Sequence, residues 1–312
     1  MRLQSIPSAA PTCRLGQGLP CAAGYPPRVV LDVAALGYQV PHADFTGRVH
    51  SVFAQACNLA SGDLLLTLVT PHAGNGPTTL RLAVGTPHDL RDLFDVGDLF
   101  HCRQRRLRTA HTELHLQHAG VWRPTVANSQ LAPAQIDSRL RSAAALLARR
   151  HSAHSSVIER EAATLVADLG DACRVLDIDL AVRLAEALIG WGEGLTPAGD
   201  DFLVGLLAGL GAFVQVDERR HGFRAALVAA IARGTARTTP IAAHYLRLAA
   251  GGHFTEPLVD ARDGLLCEPR PAVVDAALGR ALAVGATSGA DTVSGLLAGL
   301  RAWLPLTRAA TS

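Results

Sequence analysis

The stretch from Gly190 to Leu210 constrains this chain more than any other. It reads Gly-Trp-Gly-Glu-Gly-Leu-Thr-Pro-Ala-Gly-Asp-Asp-Phe-Leu-Val-Gly-Leu-Leu-Ala-Gly-Leu. In its first half Gly190, Gly192, Gly194 and Gly199 fall within ten positions. A loop needs that many glycines where its backbone takes positive φ or where a ligand comes close to it. The second half, from Asp200, reads as a buried helix. Leu203, Leu206, Leu207 and Leu210 share one face, and Gly205 and Gly209 lie on another, where a second helix can approach. Thr196 and Asp200 are both candidate N-caps. A glycine loop that feeds a helix N-terminus presents N–H groups and a positive dipole end to an anion. Asp200 and Asp201 oppose that use unless they cap the helix, hold a cation such as Mg²⁺, or bind the N–H-bearing side of a substrate. A loop and cap that only turn the chain would need fewer glycines and neither acid.

A second stretch echoes the first. Gly289 to Leu300 reads Gly-Ala-Asp-Thr-Val-Ser-Gly-Leu-Leu-Ala-Gly-Leu. Set under Gly199 to Leu210, it places Gly289 on Gly199, Asp291 on Asp201 and Gly295 on Gly205, and the final five residues are identical. Val284 to Ser288 supplies a second loop of small residues ahead of it. Chance similarity between two Ala/Leu/Gly helices competes with structural duplication, and the shared loop–Asp–helix register favours duplication. Two such helices can pack through their glycine faces, which would bring their N-terminal loops together around one pocket.

With 312 residues, 49% hydrophobic and 18% charged, the chain can bury a sizeable core in one large domain or two. The net charge of +2 is no footprint for nucleic acid or for an anionic membrane. All 29 basic side chains are Arg, so Schiff-base lysines and a P-loop lysine are excluded. The six cysteines (Cys13, Cys21, Cys57, Cys102, Cys173 and Cys267) show no metal-ligand spacing and read as reduced thiols. Residues 1–12 lack the apolar core of a signal peptide. The longest apolar run, Phe202 to Val214, falls short of the roughly 20 residues of a membrane span. A cytoplasmic protein is expected.

Residues 1–27 read as an irregular N-terminal segment, 28–128 as a β-rich domain, and 129–312 as an α-helical domain carrying the glycine-loop motifs. The boundary is expected near 125–133. Strand signals run over Arg48–Ala54, Asp63–Val69, Thr78–Val84, Leu99–Leu107 and Thr112–Gln117, with His118 to Gly120 as a hairpin turn into Val121 and Trp122. Short strands at this spacing predict a small barrel or sandwich. The class is therefore α+β. His88, His101, His111, His115 and His118 read as solvated residues of strands and turns rather than as ligands. Arg103, Arg105, Arg106 and Arg108 read as a solvated or partner-facing edge strand, with Arg106 and Arg108 on one face and Arg103 and Arg105 on the other. Helices are expected over Ala134–Arg150, Val157–Leu169, from Asp179 as cap through Leu188, Glu218–Arg233, Pro240–Ala250, Pro271–Val284, and on to about Trp303. Thr238 or Thr239 would cap the helix that opens at Pro240. Arg237, His244 and Arg247 gather near it, and Arg is the natural fork for carboxylate or phosphate.

The pattern Gly192-Glu193-Gly194-Leu195-Thr196-Pro197-Ala198-Gly199-Asp200-Asp201-Phe202-Leu203-Val204-Gly205 resembles the AllH-type family. So do Gly47 to Phe53, Asn58-Leu59, the segment Thr238 to Leu246 and the loop Thr287 to Asp291. The resemblance covers roughly residues 45–302, and the first 40 residues match nothing in it. It implies a subunit of an oxamate carbamoyltransferase, which interconverts oxalurate plus phosphate with oxamate plus carbamoyl phosphate in anaerobic allantoin breakdown. The implied partners are a larger subunit and one similar to an acyl-CoA synthetase subunit (AllF-like and AllG-like). An anionic small molecule is the implied substrate.

For such chemistry Gly194, Thr196, Gly199, Arg237, Thr238, Thr287, Ser288 and Gly289 are the candidate anion-binding residues, and Asp200, Asp201 and Asp291 the candidate catalytic acids. No cofactor is expected. If Mg²⁺ takes part, the three acids would hold it, and the chain would read instead as an all-α hydrolase. A non-catalytic scaffold, docking partners through the arginine-rich strand, is the third reading.

Overall fold

The computed structural model describes residues 29–85, 89–125, 131–150, 158, 162–213 and 217–304. The expected irregular segment 1–27, His88, Cys13 and Cys21 lie outside the described residues, as do residues 126–130 within the expected boundary and most of 157–161.

The chain is α+β, a barrel followed by helices. The strands are β1 (Val29–Gly37), β2 (Phe45–Val52), β3 (Ala56–Ser61), β4 (Leu64–Val69), β5 (Thr79–Leu82), β6 (Leu99–Arg103), β7 (Arg106–Arg108), β8 (Thr112–His115) and β9 (Gly120–Trp122). They run in the order β5-β4-β3-β2-β6-β7-β8-β1, and antiparallel pairing of β1 with β5 closes the ring. Alternation explains the inside: Leu59, Leu66, Leu68, Leu80, Leu82, Leu107 and Leu114 are fully buried in the barrel core.

Two sequence expectations change here. His118 to Gly120 is no hairpin turn, because β8 and β9 each pair in parallel with β1, one beyond the other, and not with each other. The arginine run is no edge strand. Gln104 and Arg105 take left-handed φ values of 49° and 59° and fold the run into the β6–β7 hairpin, which is paired on both sides. Register then sets Arg103 opposite Arg106 and His101 opposite Arg108 on one outer face. Arg105 sits in the turn, where its guanidinium donates to the Leu116 carbonyl at 3.1 Å. His115 is also less free than expected, since it lies 3.0 Å from the buried Glu113 carboxylate.

The helices are α1 (Pro133–Arg150), α2 (Ala163–Val175), α3 (Ile178–Leu188), α4 (Ala198–Gly211), α5 (Glu218–Gly234), α6 (Pro240–Ala250), α7 (Glu256–Cys267), α8 (Pro271–Leu282) and α9 (Ser288–Trp303). Asp177, not Asp179, caps α3 by accepting from the Leu180 N–H. Thr239 caps α6, with Pro240 in the first turn as its fixed φ allows. Helix α7 is additional to the expected set. Among the described residues no helix is long and apolar enough to cross a membrane. The described cysteines are free thiols, and burial pushes Cys57 and Cys173 up to about 12 and Cys102 to about 11, far from reactive thiolates.

Helices α4 and α9 run parallel and touch along their glycines. A Cβ on Gly205 would lie 1.9 Å from the Thr292 carbonyl oxygen, and one on Gly295 would lie 1.9 Å from that of Phe202. One turn on, Gly209 faces the Leu296 carbonyl and Gly299 that of Leu206. These contacts are equivalent under the register read from the sequence, so the echo is a two-fold-like pair of elements. Leu206, Leu207, Leu296, Leu297 and Leu300 fill the helical core around them.

Gly205→Ala and Gly295→Ala should each destabilise the fold by about 3 kcal/mol or more, because backbone meets the new methyl and cannot yield as a side chain can. Gly170→Ala, in α2 with open space around it, should stabilise by roughly 0.5–1 kcal/mol. Urea unfolding of the three variants measures both effects. Equal midpoints for all three would refute the close packing.

Candidate functional site

The glycine seam brings the N-termini of α4 and α9 to one end of the helical bundle. Pro197 stands at the N-cap position of α4 and Thr287 at that of α9, and neither side chain makes a capping hydrogen bond. Thr196 and Asp200 are therefore not caps. Proline has no N–H to spare and its carbonyl takes the first bonds instead, from Asp200 N–H at 3.0 Å and Asp201 N–H at 3.2 Å. Thr287 does the same for Ala290 at 2.9 Å and Asp291 at 3.1 Å.

The glycines ahead of both helices serve the loops themselves. Gly190, Gly192 and Gly194 take positive φ. The Gly199 N–H donates to the Trp191 carbonyl, and the Gly289 N–H to the Val284 carbonyl, each at 2.9 Å. Both loops thus close on their own helix at equivalent positions. The Gly199 and Gly289 N–H groups, two of those expected to meet an anion, are already bonded.

The expected site residues separate into two groups. Asp200 is scaffold: Oδ1 accepts from the Gly190 N–H at 3.0 Å and Oδ2 from the Thr238 hydroxyl at 2.5 Å. It ties the first glycine turn to the segment entering α6. Burial raises its pKa, and the Thr238 and Gly190 bonds and Arg237 offset part of that rise. Arg237 is exposed and its guanidinium donates to the Glu186 carbonyl at 2.5 Å. Gly199 and Gly289 are packed against the carbonyls of Leu188 and Ala281. Gly194 is open to solvent. Thr287 is half-buried at the start of α9, and Asp291 is fully buried.

The second group lines a cavity of about 230 Å³ between the barrel and the helices. Thr196 and Ser288, one from each loop, meet there with their hydroxyl oxygens 2.7 Å apart. Asp201 lies beside them, 9% exposed, and its Oδ2 has no hydrogen-bond partner. Burial drives its pKa well above the usual carboxylate range. The Ser288 and Thr196 hydroxyls pull the other way, and the negative charges of Asp291 and Asp200 add to the rise. This setting favours the protonated carboxyl, which has one O–H to donate and one oxygen to accept.

The barrel supplies the opposite wall. Tyr245 of α6 lies 3.3 Å from the Thr67 hydroxyl, Thr67 donates to Asn58 Oδ1 at 3.0 Å, and Asn58 donates to Ser51 at 3.0 Å. Thr67 has a single proton and gives it to Asn58, so the Tyr245 hydroxyl is the donor to Thr67. His253 also lines the cavity, and its Nδ1 is 2.8 Å from the Tyr38 hydroxyl. Phe53, Leu195, Val204, Ile241, Leu248, Phe254 and Leu258 make the rest of the wall largely apolar.

Sequence reasoning did not single out Thr67, Tyr245 or His253 as site residues. For Thr67 a signal existed: it is the one polar residue in the apolar strand Leu64 to Val69. Nothing local distinguishes Tyr245 or His253.

A single stretch, residues 188–300, matches the family model described as oxamate carbamoyltransferase subunit AllH, and residues 31–121 match the model of the AllH family N-terminal domain. The chain belongs to the AllH family. The first match opens at the loop before α4 and ends within α9, so it contains both halves of the seam. The N-terminal match covers most of the barrel. No solved structure matches this AllH-family chain.

The raised pKa of Asp201 has a stability consequence. The unfolded carboxyl ionises near its ordinary value while the folded one keeps its proton to higher pH, so stability falls as pH rises above about 4 until the folded carboxyl ionises too. Asp201→Asn keeps a neutral donor and acceptor at that place. Its thermal midpoint should exceed the wild-type value at pH 7, with the gain shrinking towards pH 4. A lower midpoint at pH 7 would mean that the folded protein carries the ionised form.

Proposed function

We propose that this chain is a subunit of an oxamate carbamoyltransferase-like enzyme and that it holds the uncharged carbamoyl end of the substrate in the cavity floored by Asp201. The observation that carries this reading is the Asp201 carboxyl, nine-tenths buried and with Oδ2 unpartnered, beside the Thr196–Ser288 hydroxyl pair. A buried polar atom without a partner costs about 1–3 kcal/mol, which a complementary ligand recovers. A primary amide presents one acceptor and one N–H donor at the spacing of a neutral carboxyl, so two hydrogen bonds form at once. An ionised phosphate has no such complement here: no arginine is among the described residues that line the cavity, and stripping water from an unpaired anion is costly.

In the reaction the family name points to, a phosphate oxygen attacks the carbamoyl carbon of a ureido group. The carbon–nitrogen bond to oxamate breaks, and the leaving nitrogen takes the proton that phosphate gives up. The Asp201 O–H, aimed at the carbamoyl oxygen, stabilises the negative charge that gathers there in the transition state. Thr196 and Ser288 accept from the carbamoyl NH₂ and fix its plane. The other subunits, AllF-like and AllG-like, complete the enzyme. The setting is purine breakdown in the cytoplasm.

The magnesium reading finds less support. Both oxygens of Asp200 are committed to Gly190 and Thr238. Among the described residues no three His, Cys, Asp or Glu side chains are grouped to hold a metal ion.

Calorimetric titration of oxalurate into the purified chain tests the assignment. Saturable binding is expected, unchanged by EDTA. Asp201→Leu should weaken it at least tenfold, about 1.4 kcal/mol, whereas Asp201→Asn should stay within a few-fold of wild type. Undiminished binding by Asp201→Leu would refute the assignment, and loss of binding with EDTA would restore the metal reading.

A further inference from the structure

The rim of the cavity is apolar and exposed. Phe53, Leu195 and Val284 are 43%, 43% and 46% exposed, and all three belong to the cavity lining. They come from three separate segments: the turn after β2, the loop before α4 and the loop before α9. Each is held out on a fixed backbone rather than on a slack loop. The Phe53 N–H donates to the Ala56 carbonyl at 2.7 Å, the Leu195 carbonyl accepts from Thr239 at 2.5 Å, and the Val284 carbonyl accepts from Gly289 at 2.9 Å. A rigid apolar ring around a polar-floored cavity is a surface built to be covered.

Charge says what covers it. This step rests on the reading that the uncharged carbamoyl end lies inside. The other end of such a substrate is a carboxylate or a phosphate, and it then points out through the mouth. Among the described lining residues no arginine or lysine meets it there. Lysine is absent from the sequence, and Arg237 of the neighbouring segment is engaged by the Glu186 carbonyl. Family membership supplies the remaining fact, that chains of this type are described as one subunit of an enzyme.

We propose that the mouth of this cavity is the seat of a partner subunit, whose apolar surface covers Phe53, Leu195 and Val284 and whose cationic side chain meets the anionic end of the substrate. The active site is then shared: this chain binds the carbamoyl group, and the partner binds the oxyanion.

The test uses the chain co-expressed with the other subunits of an oxamate carbamoyltransferase from the same cell. The affinity of assembly is measured by light scattering after size-exclusion. Phe53→Asp combined with Val284→Asp should weaken assembly at least tenfold. Val84→Asp, at a position 87% exposed and outside the cavity lining, should leave it unchanged. Inorganic phosphate, titrated calorimetrically, should bind the assembled enzyme and not the isolated chain.

Assembly of the double variant with wild-type affinity would overturn the proposal. So would failure of the wild-type chain to assemble, or phosphate binding by the isolated chain as tight as by the complex. Oxalurate binding to the isolated chain is read separately. Its loss in the presence of intact, rim-dependent assembly would remove the carbamoyl assignment and keep the docking surface.

Discussion

Everything at the candidate site depends on the distance between two helices. Helices α4 and α9 meet backbone to backbone, because Gly205 and Gly295 each leave room for the other helix's carbonyl. A side chain at either place would push the axes apart. The N-terminal loops would then separate, and the Thr196–Ser288 contact at 2.7 Å, which spans them, would be lost first. Such a seam gains little from the burial of large side chains along its own line. Dispersion between close backbones and the surrounding leucines, among them Leu206, Leu207, Leu296 and Leu297, hold it. The sequence echo is the price of that geometry. Glycines at the same spacing are needed on both partners, and the loops before them must end in the same way.

The acids next to the seam show how the same residue type takes different roles by position. Asp200 and Asp201 are adjacent on α4, so their side chains leave the helix about 100° apart. Asp200 turns to the Gly190 N–H and the Thr238 hydroxyl, where both oxygens are satisfied. Asp201 turns into the cavity with one oxygen unsatisfied. The first arrangement stabilises the loop. The second costs stability, and a fold retains such a group where a ligand completes it. Asp291, equivalent to Asp201 by register, is fully buried and does not line the cavity, so the pseudo-symmetry ends at the candidate site.

Much of this was legible in the sequence, and the failures have definite causes. Hydrophobic period placed most of the helices and the main strands, and the Gly-x-x-x-Gly spacing with its echo foretold the seam. The arginine run was misread because its turn, Gln104-Arg105, carries no Gly or Asn although both residues take left-handed φ. Local chemistry gave no sign of a hairpin there. Helix α7 was missed, with Gly264 and two aspartates diluting its pattern. Thr196 and Asp200 looked like caps, since both are favoured cap residues, yet Pro197 holds the position. Site partners on the barrel were beyond reach for a different reason. Thr67 and Tyr245 are 178 positions apart in sequence, and only the docking of two separately folded layers brings them together.

That docking is polar, which bears on what the barrel is for. His244 meets Thr78 at 3.1 Å, Tyr245 meets Thr67, Tyr38 meets His253, and the Glu256 carboxylate receives both the backbone N–H and the side-chain amide of Asn75 at 2.8 and 2.7 Å. Burial, with Arg247 nearby, lowers the His244 pKa to about 4, so at neutral pH the ring is uncharged and suits a hydroxyl partner. Hydrogen bonds exchanged for those with water add little net stability, but each is directional, and a wrong docking angle would leave several buried groups unpaired. The interface therefore fixes an angle more than it supplies adhesion. Three of its residues, Thr67, Tyr245 and His253, line the cavity. The shape of the cavity is therefore set by the same contacts that join the barrel to the helices.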